Sequence, residues 1–64
     1  MKIQYKVKGK AWKLMALKGI LISHAITSYT NFIEGSLTCT CKDNGELVIL
    51  QSACNKLELK YHQL

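Results

Sequence analysis

With 64 residues and 48% apolar side chains, the chain suits one small folded domain and is too apolar for a disordered segment. Its net charge of +5 comes from nine lysines and no arginine, which argues against base-specific DNA reading, because that leans on the two-pronged arginine fork. Three cysteines are an odd number, which excludes a framework in which every cysteine pairs within the chain.

In chain order, residues 2–8 alternate, with Ile3, Tyr5 and Val7 on one side and Lys2, Gln4, Lys6 and Lys8 on the other. That pattern predicts a strand with one buried face and one lysine-bearing face. Gly9 permits a turn. Residues 11–18 are good helix formers, Gly19 stands where a C-terminal cap belongs, and Lys18 suits the negative end of the helix dipole. A longer helix would be apolar almost all round over residues 12–26, so a strand with Ile20, Ile22, His24 and Ile26 on one face is the alternative for the second half. Residues 14–26 are the most apolar run, and 13 residues are too few to span a bilayer, so no transmembrane segment is expected. Ser23-His24-Ala25 has the small-x-small form of a cleaved leader, but Lys18 interrupts the apolar run before it.

Tyr29 to Ile33 is β-prone, and Glu34-Gly35-Ser36 reads as a break. Leu37, Cys39 and Cys41 then alternate with Thr38, Thr40 and Lys42, and Asn44-Gly45 is a strong hairpin signal. The hairpin would set the cysteines against Val48 and Leu50, or against Leu47 and Ile49 with a bulged loop. Lys56 to His62 alternates again, with Leu57, Leu59 and Tyr61 inward. The expected fold is α+β: one small domain over residues 1–64, with an N-terminal strand, a short helix and an antiparallel sheet with a hairpin at Asn44-Gly45. A small all-β barrel is the alternative.

Cys39 and Cys41 share a strand face about 6–7 Å apart at the backbone. With Cys54 and either His24 or His62 they make a candidate zinc set, and either of them with Cys54 makes a candidate disulfide in an oxidising compartment. The plain alternative is three core thiols. No residue pattern supplies a nucleophile with its base, a pair of working carboxylates or a phosphate-cradling glycine loop, so neither catalysis nor a cofactor is expected. Lys2, Lys6, Lys8, Lys10 and Lys13, with Trp12 among them, form a candidate interaction surface, although Tyr5 alternates away from the lysines of its strand.

The run Asn31-Phe32-Ile33-Glu34-Gly35-Ser36-Leu37-Thr38-Cys39-Thr40-Cys41, with Gly45 after it, resembles a cyanovirin-type lectin repeat. That repeat has an apolar residue before a glycine, then leucine, a small residue and cysteine, then a turn glycine. The resemblance implies a secreted, disulfide-bonded, sugar-binding module, although Ser28 stands where the repeat carries its first cysteine. The residues themselves point first to a non-enzymatic binding module that works by protein–protein contact as a homo-oligomer, an inhibitor or accessory factor in the cytoplasm. A basic nucleic-acid binder using the N-terminal lysines is the second reading. A secreted, disulfide-bonded module is the third.

Overall fold

The computed structural model describes residues 2–64. Strand β1 (Ile3–Lys8) leads to helix α1 (Ala11–Ser23), strands β2 (Thr27–Asn31) and β3 (Ser36–Cys41), helix α2 (Asn44–Leu57) and strand β4 (Lys60–Gln63). The strands form one antiparallel sheet in the order β2-β3-β1-β4. Two interleaved β-α-β units produce that order, the split arrangement of ferredoxin-like folds. The α+β expectation holds, and the open sheet replaces the alternative of a closed barrel.

The alternation read in residues 2–8 positions the core. Val7 lies opposite Leu37, Tyr5 opposite Cys39 and Ile3 opposite Cys41, so the apolar sides of β1 and β3 form one surface. Both helices cover that surface: Leu14, Leu17 and Leu21 of α1 and Leu50, Ala53 and Cys54 of α2 join Val7, Leu37, Cys39 and Cys41 in one buried cluster. Full burial of a leucine stabilises by about 2 kcal/mol. That outweighs the poor ends of α1, whose N-cap residue, Lys10, makes no side-chain cap and whose first turn holds no acid.

The hairpin expected at Asn44-Gly45 is corrected: these residues open α2. Asp43 accepts a hydrogen bond from the Glu46 backbone N–H at 2.9 Å, and the Glu46 carboxylate accepts one from the Lys42 N–H at 2.8 Å. This reciprocal cap satisfies backbone donors that a turn would have left to water. Leu47, Leu50, Cys54 and Leu57 then follow at helical spacing and pack on the core. The cysteines accordingly face Tyr5 and Ile3 across β1, not residues 47–50 across a hairpin. The β2–β3 connection is the hairpin present, built on the Asn31 side chain, which accepts from Ile33 N and Glu34 N at 3.1 Å each, and on Gly35 at φ +74°.

Helix α1 runs five residues beyond the expected stop at residue 18, and Gly19 lies inside it. The cap is at Ala25, in the left-handed region at φ 57°, with Ala25 N–H donating to Ile22 O and Ile26 N–H to Leu21 O. Helix α2 ends the same way, with Glu58 at φ 57° and Leu59 N–H donating to Cys54 O. In each case the next residue, Ile26 or Leu59, drops into the core. The tail expectation shifts accordingly: Leu57 closes α2, while Leu59 and Tyr61 do turn inward.

Two substitutions test this helix boundary. A Cβ at Gly19 meets nothing within 4 Å, so Gly19→Ala should stabilise the fold by about 1 kcal/mol. Ala25→Gly should also stabilise, by about 0.5–1 kcal/mol, because it removes the cost of a left-handed alanine. Urea titration followed by far-UV circular dichroism measures both, and a loss on Gly19→Ala would restore the cap to residue 19.

Candidate interaction surfaces

The cysteine group lies inside the core. All three thiols are free and fully buried, with the Cys39 and Cys41 sulfurs 3.7 Å apart. Burial pushes the Cys39 thiol up to about 12, with the neighbouring Cys41 adding to it, and pushes Cys54 up to about 11. Cys41 is raised as well, again by burial, with the hydrogen bond to Cys39 working against the shift. Such thiols are poor nucleophiles. Among the described residues no three of His, Cys, Asp and Glu come together as a set that could hold a metal. His24 is exposed just past the end of α1, and His62 is exposed on β4.

The lysines divide between two layers. Lys6 and Lys8 project from the sheet face that carries no helix, and Lys2 precedes them in the same alternation. Lys10, Trp12 and Lys13 belong to the start of α1, on the far side of the core, where the Lys13 ammonium lies 5.6 Å from the centre of the Trp12 ring. The sequence cluster is therefore not one surface.

The uncovered sheet face forms a grid. One row across the strands reads Tyr29, Thr38, Lys6, His62, and the next reads Asn31, Ser36, Lys8, Lys60. Tyr29 is 68% exposed, and Lys8, Lys60 and His62 are also open to solvent. Lys8 and Lys60 stand directly opposite each other, a like-charge pair that destabilises its own strand pairing. Glu34, from the hairpin, reaches onto this face and pairs with Lys6, which holds its carboxyl below the usual carboxylate range. Sequence reading missed Tyr29 because its place beside the lysines depends on the β2–β3–β1 register, not on local alternation.

The helical layer carries an exposed apolar stripe. Trp12, Met15, Gly19 and Ile22 recur at helical spacing, and Trp12, Met15 and Ile22 are each about 62–63% exposed. Ile20 and His24 of α1 instead line an open groove towards α2, with Val48, Ile49 and Ser52 opposite. Met15 and Ile22 therefore point away from α2, over the side where α1 packs on β2. Strand β2 is one edge of the sheet and reads Thr-Ser-Tyr-Thr-Asn, with no charge; the other edge, β4, carries Lys60 and His62. Charge on an edge strand discourages pairing with another chain, and β2 lacks it.

No protein-family model matches the chain, and no curated protein or solved structure matches it either.

The buried thiols make two expectations measurable. In native buffer a disulfide reagent should react with all three at least about a hundredfold more slowly than in denaturant, and one thiol reacting at the denatured rate would place it at the surface. Unfolded thiols ionise near 9.0, and folded Cys39 and Cys54 only at about 12 and about 11, so between those pH values the folded chain holds more protons. Stability should consequently fall as pH rises through that window, and more shallowly in Cys39→Ala and Cys54→Ala than in the parent chain. Denaturant midpoints at pH 8, about 9.5 and about 10.5 read the slope.

Proposed function

We propose that the chain is a non-enzymatic binding module that works by protein–protein contact and pairs with a second copy of itself along β2. The observation that carries this reading is the coincidence on one flank of an uncharged edge strand with the exposed Met15 and Ile22 of the helix above it. An antiparallel edge is self-complementary: a two-fold axis across β2 satisfies the free backbone groups of both copies with each other. The same axis brings the two α1 helices side by side, with Gly19 leaving room for close approach.

Lys18 shares a helical stripe with Met15 and Ile22, so two copies oppose each other with like charge there as well as through their net +5. Its partly buried stem supports the contact while its ammonium turns to water. Three unpaired thiols sealed in the interior favour a reducing setting, which supports a cytoplasmic reading. Among the described residues no helix is long and apolar enough to cross a membrane. The non-enzymatic reading rests on the burial of the thiols and on the groove between the helices, where His24, Ser52 and Lys56 make no hydrogen bond with one another.

Sedimentation equilibrium from micromolar to near-millimolar concentration tests self-pairing. The expected result is a monomer–dimer equilibrium that strengthens as salt rises, because salt screens the lysines, and that weakens at least about tenfold in Ile22→Lys. A parent chain that stays monomeric throughout, or a dimer indifferent to Ile22→Lys, sinks this interface.

A further inference from the structure

We propose that the open face of the sheet binds single-stranded nucleic acid in a sequence-tolerant way. The face lies on the opposite layer from the α1 stripe, so this inference stands whether or not the chain pairs along β2.

The charge pattern comes first. Lys8 and Lys60 face each other across β1 and β4 with no carboxylate between them, and Lys6 lies in the adjoining row. Glu34 is drawn onto this face, where it pairs directly with Lys6 and interacts more weakly with Lys8. Asp43 and Glu46 are occupied in capping α2. Three lysines held at fixed strand spacing against one carboxylate leave positive charge in excess and Lys8 and Lys60 in mutual repulsion, which is relieved by a chain of phosphates that releases its counterions on binding.

The polarity across the sheet selects among polyanions. The cationic half is on β1 and β4, while β2 and β3 contribute Tyr29 with threonine hydroxyls beside it. An exposed phenol ring one strand removed from the lysines, across β3, stacks an unpaired base while the lysines hold the backbone of neighbouring nucleotides, and stacking of this kind tolerates any base. A duplex offers no unstacked base to Tyr29, and a flat four-stranded face does not enter its major groove. The two rows themselves carry no aliphatic side chain; the exposed Phe32 and Ile33 stand at the tip of the β2–β3 hairpin, off the lysine-bearing strands. Lysine in place of arginine suits backbone attraction without base reading.

The test is fluorescence anisotropy of a labelled oligothymidine about 20 nucleotides long, titrated with the full chain at low salt. Binding is expected in the micromolar range, with a logarithmic salt slope of about −2 for three phosphate contacts by Lys2, Lys8 and Lys60. Three variants carry the argument. Lys60→Glu should cost at least about fivefold in affinity while leaving the fold as stable or more so, since it turns a like-charge pair into an opposite one. Tyr29→Ala should cost about five- to tenfold. Glu34→Gln, which frees Lys6, should tighten binding about two- to fivefold, a gain that loss of folding does not mimic.

Three results would overturn the proposal. One is no anisotropy change at low salt, with or without capture of the chain by phosphatidylserine vesicles. The second is preference for the duplex over the single strand. The third is Lys10→Glu with Lys13→Glu, on the other layer, costing as much as Lys60→Glu.

Discussion

The fold depends on β1 being an interior strand, paired along both of its edges: with β3 on one and with β4 on the other. Val7 is the pivot, fully buried, with Leu37 opposite it on β3 and Tyr61 opposite it on β4. Because a strand's side chains alternate, fixing Val7 inward sends Lys6 and Lys8 outward, and the register carries that choice across every neighbour. The apolar surface of both helices then has one place to go. Sheet polarity, helix placement and the division of the lysines all follow from that single orientation.

Much of this was legible in residues 2–8, where alternation gave both the strand and its two faces, and in residues 37–41, where it placed Cys39 and Cys41 on one side. The segment after Cys41 folds differently from its local turn signal, for a physical reason. Asp-Asn-Gly suits a tight turn, but Asp43 followed three residues later by Glu46 suits a helix start equally well at the local level. The deciding feature lies further along, in Leu47, Leu50, Cys54 and Leu57, whose spacing is helical and whose burial stabilises far more than a turn does. Gly19 misled in the opposite sense: glycine favours a left-handed cap, yet the helix ends where Ile26 reaches the core, and Ala25 accepts the strain.

The surfaces were less legible than the fold, because they are assembled across elements. Lys2, Lys6, Lys8, Lys10, Trp12 and Lys13 are neighbours in sequence, and the Gly9 turn sends the last three to the other layer. Tyr29 and Lys60 lie far from Lys6 and Lys8 along the chain, and the strand order sets Lys60 opposite Lys8 and Tyr29 in the row of Lys6, with Thr38 between them. The cysteines show the converse. Their clustering was readable from spacing, but only the packing of α2 seals them from water and so gives them inert chemistry.

The interleaved strand order also shapes how the chain is made. β1 is made before its partners β3 and β4, which are separated from it by α1, β2 and α2. A central strand whose neighbours arrive late leaves the nascent segment without its sheet, and α1, apolar around most of its circumference, waits uncovered beside it. Five of the nine lysines fall within the first 13 residues. Charges this close in sequence repel one another and those of a second copy over short distances, so the lysines that face outward from the folded sheet also oppose association of two unfolded segments.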